Sequence, residues 1–120
     1  MRILIVDDDG FFGEMTSAIL EEAGYQTVMV ESGLEAVELL AGDPGFDGVI
    51  SDMHMPLVSG LELFEILREE GCNVPFILLS GENPSDLLQR QPRLDACLAK
   101  DGDLEHALPA TLGRILAART

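Results

Sequence analysis

Four short polar stretches each end an apolar run, and their residue types suit a metal ion and a phosphoryl group. Asp7-Asp8-Asp9 follows Ile3-Leu4-Ile5-Val6, and Asp52 with Met55-Pro56 follows Val49-Ile50-Ser51. Ser80-Gly81 follows Phe76-Ile77-Leu78-Leu79, and Lys100 follows Ala96-Cys97-Leu98-Ala99. Carboxylates held together raise one another's pKa and call for a cation. Hard oxygen donors select Mg²⁺, which takes carboxylate, water and phosphate oxygens. Phosphoryl transfer needs in-line positioning and charge neutralisation on the equatorial oxygens. Asp7, Asp8 and Asp52 would hold Mg²⁺ while one acid attacks phosphorus; the metal, Lys100 and the Ser80 hydroxyl would each serve one oxygen.

The elements that must position these groups are legible in the hydrophobic pattern. The strand predicted over residues 2–6 carries the continuous apolar run Ile3–Val6, as a strand buried on both faces should. A helix is predicted from Phe11 to Ala23, with Phe12, Met15, Ile19 and Ala23 inward and Gly24 as its stop. Strand Thr27–Val30, helix Gly33–Leu40 with Leu34, Val37 and Leu40 inward, and the turn Asp43-Pro44-Gly45 come next. Strand Gly48–Ser51, helix Gly60–Glu69 and strand Val74–Leu79 continue the alternation. A short helix near Ser85–Gln91, a strand at Ala96–Ala99 and a helix over Leu104–Ala118 complete it. Pro92 should close the fourth helix. Pro109 should kink the last helix or start its main part. Five βα units predict an α/β fold, a doubly wound parallel sheet with helices on both faces. In such a sheet the ligand crevice lies beyond the carboxyl ends of the strands, where all four stretches fall.

Composition excludes several classes. The 120-residue chain is 47% hydrophobic, enough for one domain core, and carries a net charge of −15. That charge repels nucleic acid phosphates and anionic membranes, so neither is an expected partner. No apolar run approaches the ~18 residues of a membrane span, and the N-terminus has no basic-then-apolar leader pattern. A cytoplasmic location is the default expectation. Cys72 and Cys97 form no disulfide framework or zinc spacing.

Taken with Asp52-Met53-His54-Met55-Pro56 and Gly60, the stretches Val6-Asp7-Asp8-Asp9, Ser80-Gly81 and Lys100 resemble the receiver domain of two-component response regulators. Ser32-Gly33-Leu34-Glu35-Ala36 adds support, and the likeness spans residues 1–120 as one domain. It implies a flavodoxin-like sheet of strand order 2-1-3-4-5. It implies that Asp52 is the phosphoacceptor, charged by a histidine kinase or a phosphotransfer protein. Asp8, Asp52 and the main-chain carbonyl of His54 would bind Mg²⁺, with Asp7 contributing through water. Ser80 would move toward the phosphate and Lys100 would pair with it. The protein would catalyse its own phosphoryl gain and loss without being a metabolic enzyme, as a lone regulator or as part of a larger one.

Each residue also has a plainer reading. Asp9 can cap the first helix, Ser80 can satisfy donors in the Gly81–Pro84 turn, and Lys100 can be solvated. The chain departs from the family pattern at two positions. Asp101 stands where a proline after a cis peptide is usual, and a non-proline cis bond costs about 2.5–4 kcal/mol, so a trans bond is expected. Cys97 stands where many receivers carry a switching aromatic. These departures leave open a receiver-like binding module that works without phosphate. A third reading is a haloacid dehalogenase-like phosphatase, with Asp7-x-Asp9 as nucleophile and acid and Asp101-x-Asp103 as later metal ligands.

Overall fold

Apolar residues in the strands alternate between two cores, and that alternation fixes the layers. In the computed structural model, which describes residues 1–119, the elements are β1 (Arg2–Val6), α1 (Gly10–Glu22), β2 (Gln26–Val30), α2 (Gly33–Gly42) and β3 (Gly48–Asp52). They are followed by α3 (Gly60–Glu69), β4 (Phe76–Ser80), α4 (Pro84–Arg90), β5 (Ala96–Ala99) and α5 (Leu104–Ala118). The five strands are parallel in the order β2-β1-β3-β4-β5, as expected. Leu4, Val6, Val49, Phe76 and Leu78 face a core shared with Leu63, Phe64 and Leu67 of α3. Ile3, Ile5, Ile50, Ile77 and Leu79 face the other, shared with Leu20 of α1 and Leu104, Leu108, Leu112 and Leu116 of α5.

Two helix faces differ from the sequence expectation. In α1 the buried residues are Gly13, Thr16, Ser17 and Leu20, while Met15 and Ala23 are exposed and Phe12 and Ile19 half-buried. The helix lies too close to β2 for large side chains there: a Cβ on Gly13 would sit 3.1 Å from Met29 Cε. The buried hydroxyls are satisfied, Thr16 donating to the Phe12 carbonyl at 3.0 Å and Ser17 bonding Thr27 Oγ1 at 2.5 Å. In α2 it is Ala36 that is fully buried, and Leu34 is exposed.

The helix starts follow side-chain capping. Asp9 accepts from the N–H groups of Phe11 and Phe12, Ser32 from Glu35, and Asn83 from Ser85. Ser59 and Glu62 form a reciprocal capping box. Gln91, ahead of Pro92, leaves helical geometry and ends α4 as expected. Pro109 neither starts nor interrupts α5, which begins at Leu104 and runs on through it. Proline there deprives the Glu105 carbonyl of its helical donor, and Glu105 lies on the exposed side where water can replace it.

At the amino ends of the strands, Asp95 ties three elements together. Its carboxylate accepts from the Phe76 N–H at 2.7 Å and pairs with Arg68 at 3.3 Å and Arg119 at 3.1 Å. At the other end, Gly60 lets α3 start directly under the end of β3. A Cβ at Gly60 would lie 2.4 Å from both the Asp52 carbonyl oxygen and Leu78 Cδ1. Gly60→Ala should therefore lower stability by roughly 2–4 kcal/mol in urea unfolding. Gly42→Ala, where a Cβ meets nothing within 4 Å, is the matched control and should not destabilise. Equal midpoints for the two variants would contradict the close approach.

Candidate functional site

Strand register assembles the site. Val6 pairs with Ser51, Asp52 with Leu79, and Ser80 with Ala99. Asp7, Asp52, Ser80 and Lys100 are thus delivered at or just beyond the ends of four adjacent strands. Carboxylate oxygens of Asp7, Asp8 and Asp52 lie within 4.8 Å of one another. Asp7 and Asp52 are buried, at 4% and 7% exposure, and Asp8 faces solvent.

Lys100 enters this cluster. Its Nζ lies 2.8 Å from Asp52 Oδ1 and 3.6 Å from Asp7 Oδ2, so the solvated-lysine reading fails. The Lys100 N–H bonds the Ser80 carbonyl at 2.9 Å, which sets where the side chain starts. No cis peptide occurs among the described residues, so the Lys100–Asp101 bond is trans as expected. Asp101 turns its carboxylate to the Asp103 N–H at 3.0 Å and is exposed, leaving Lys100 to the acids. The Phe12 ring, with its centroid 4.1 Å from Nζ, covers the ammonium on one side. Helical spacing correctly turns Phe12 inward, but nothing in the sequence names Lys100 as its partner.

Asp7 is the strained member. Burial raises its carboxyl above the usual range, against the lowering effect of the Asp9 N–H and the Lys100 ammonium, while Asp52 and Asp8 raise it further. The Asp9 N–H donates to Asp7 Oδ1 at 2.9 Å, and Asp9 itself serves as the helix cap.

Ser80 and His54 stand at the rim. Ser80 is fully buried and its Oγ accepts from the Glu82 N–H at 2.9 Å, the turn bond that the plainer reading anticipated. Its O–H proton remains available to donate. The His54 imidazole lies away from the carboxylates, with Nε2 3.1 Å from Glu82 Oε1 on the exposed surface. Cys97 is buried in the core beside α4, its thiol pushed up to about 11 by burial and secondarily by Glu82, so it is chemically quiet.

A buried acid pair with a lysine on it thus lies at the carboxyl end of the parallel sheet. The response regulator receiver domain family matches residues 3–110. The chain belongs to that family. Two-component response regulator ORR5 of Oryza sativa subsp. japonica is 30% identical over 119 residues, covering 95% of this chain and 84% of that protein. Response regulator MprA of Mycobacterium avium is 34% identical over 96 residues, 80% of this chain and 41% of that protein. The chain thus spans most of one relative and less than half of the other. The response regulator TrrA from Thermotoga maritima, solved in complex with Mg²⁺ and BeF, matches with TM-score 0.85 and 28% identity over 95% of this chain and 97% of that one. The receiver domain of Francisella response regulator 1452 shares the fold, with TM-score 0.89 and 24% identity over 99% of this chain and 98% of that one.

Receiver domains are signalling domains of two-component systems that take phosphate from histidine kinases, and the family binds Mg²⁺ at its acidic site. The phosphatase reading is not favoured. Asp101 and Asp103 are exposed and lie outside the carboxylate cluster, which among the described residues is Asp7, Asp8 and Asp52. No helix among the described residues is long and apolar enough to cross a membrane.

The raised carboxyl of Asp7 gives a signed expectation. A buried acid whose folded pKa is raised favours folding while protonated and opposes it as pH climbs through that pKa. Asp7→Asn should therefore stabilise the metal-free protein at pH 7, and the gain should vanish in acid. The same variant should weaken Mg²⁺ binding. Thermal unfolding at pH 7 and pH 4, with and without Mg²⁺, reads both effects; a loss of metal-free stability at pH 7 would contradict the assignment.

Proposed function

We propose that Asp52 is the residue that accepts the phosphoryl group, and that the chain is a phosphorylation switch of a two-component pathway. The observation that carries this reading is the contact of Lys100 Nζ with Asp52 Oδ1, inside the carboxylate cluster at the crevice end of the sheet. Of the two buried acids, Asp52 has the closer lysine, while Asp7 is bonded to Asp9. The donor would be a phosphohistidine of a histidine kinase or of a phosphotransfer protein. An Asp52 oxygen would attack phosphorus in line, an acyl phosphate would form, and the electron pair of the breaking P–N bond would return to the imidazole.

The carboxylates fit a hard cation, being all oxygen, close together and part-exposed through Asp8. Asp7, Asp8, Asp52 and the main-chain carbonyl of His54 would hold Mg²⁺, which when bound supplies neutralisation of phosphoryl charge. Lys100 would pass from the Asp52 carboxylate to a phosphoryl oxygen over a short distance, because its backbone is fixed by the Ser80 carbonyl. Ser80, held as an acceptor by the Glu82 N–H, would donate its proton to another phosphoryl oxygen. Phe12 would keep the ammonium from drifting toward solvent. Conformational output would begin with Ser80 and Lys100. The net charge of −15 argues against direct contact with nucleic acid. A cytoplasmic setting, where such kinases deliver phosphate, suits the chain.

Intact-mass measurement after acetyl phosphate and Mg²⁺ tests the acceptor. The parent chain should gain one phosphoryl group; Asp52→Asn should gain none, and EDTA should abolish the gain. A folded parent that gains nothing would favour the phosphate-independent binding module. A gain retained in Asp52→Asn would move the acceptor elsewhere.

A further inference from the structure

A cavity lies at the opposite end of the sheet from the acids. It measures about 540 Å³ and opens between the ends of α2 and α3 and the chain entering β4. That volume falls in the range of about 300–1,000 Å³ usual for small-molecule sites. Its walls are mainly apolar, with Val37, Leu40, Phe46, Leu67 and Val74 among them, and Cys72 contributes a thiol. The only charged side chains lining it are two carboxylates, Asp43 and Glu70.

The three arginines that touch residues lining the cavity are already engaged. Arg2 pairs with Asp43 at 3.0 Å and lies with its guanidinium carbon 4.3 Å from the Phe46 ring centroid. Arg68 donates to the Cys72 carbonyl at 2.9 Å and Arg119 to the Asn73 carbonyl at 2.8 Å, and both pair with Asp95. Glu70 has no ion-pair partner among the described residues, whereas Asp43 is ion-paired with Arg2 and accepts the Gly45 N–H. An apolar recess with an uncompensated carboxylate at its mouth discriminates by charge: it favours a cation and repels an anion of the same shape.

We propose that this cavity is a second ligand site, and that it takes a small organic cation, an apolar or aromatic body with a protonated amine directed to Glu70. The site is separate from the phosphoacceptor and does not depend on it.

Titration of the ¹⁵N-labelled chain with 2-phenylethylamine and, in parallel, with phenylacetate at fixed ionic strength tests this. The amine should give saturable shifts confined to the amides of Leu40, Phe46, Cys72 and Val74, with affinity about tenfold above that of phenylacetate. Glu70→Gln, a change at an exposed position, should narrow that preference by about threefold without altering the fold. A thiol readout is independent: Cys72 should react faster with a trimethylammonium methanethiosulfonate than with a sulfonate one, and phenylethylamine should protect it. Cys97, buried and with its thiol at about 11, should stay silent. Equal affinity for the two ligands, amine shifts scattered over the acidic surface, no shifts, or equal thiol rates would each overturn the proposal.

Discussion

Parallel pairing of β1 with β3 is the constraint on which the rest of the site depends. With Val6 opposite Ser51, the next residue on each strand is an aspartate, so two buried carboxylates are set side by side by the sheet itself. Both neighbouring runs are apolar on each face, so neither strand can slip by one residue without exposing its core side chains. The burial of this pair is therefore built in, and its mark is the raised carboxyl of Asp7, lifted first by desolvation and less by the neighbouring Asp52. Lys100, the Asp9 N–H and a place for a divalent cation all answer that one strain. A cation bound among these acids would stabilise the folded chain, and metal binding would then be coupled to the fold.

The two ends of the sheet treat charge in opposite ways. At the amino end, one carboxylate, Asp95, meets two guanidiniums and a backbone N–H, and binds α3, β4, β5 and the end of α5 together. Arg68 there is only 10% exposed, and stacking over Phe64 compensates part of its desolvation. At the carboxyl end, three carboxylates cluster and one lysine pairs with two of them, Asp7 and Asp52. The first arrangement is satisfied and rigid; the second is short of positive charge and open to a ligand. That contrast separates scaffold from site without appeal to resemblance.

Sequence carried the fold and the acids for reasons that are local. Fully apolar strand runs announce a buried parallel sheet, and polar residues that end them must lie at its carboxyl edge. Packing distances are not local, and there the pattern misleads. Met15 and Ala23 fit an inward stripe, but the approach of α1 to β2 at Gly13 leaves room only for small residues, so hydroxyls are buried instead. Leu34 is exposed for a similar reason, since the α2 start is held against Val58 at Gly33 and Ala36 takes the buried position. The effect of Asp101 on Lys100 was equally out of reach, because it turns on one bond, to the Asp103 N–H.

Glu82 is where the site meets the rest of the surface. Its N–H holds the Ser80 hydroxyl, while its carboxylate contacts His54 of the loop after β3 at 3.1 Å and Arg90 at the end of α4 at 3.9 Å. The two ion pairs are exposed and contribute little energy in water. The backbone bond to buried Ser80 is the stronger link, because breaking it strands an acceptor away from solvent. A phosphoryl group that draws Ser80 inward would therefore act on Glu82 through its backbone first, and the weak side-chain pairs would follow at little cost. The order of these energies, a firm bond at the serine and soft ones beyond it, lets a small displacement at the acids reach α4 without disturbing the core beneath.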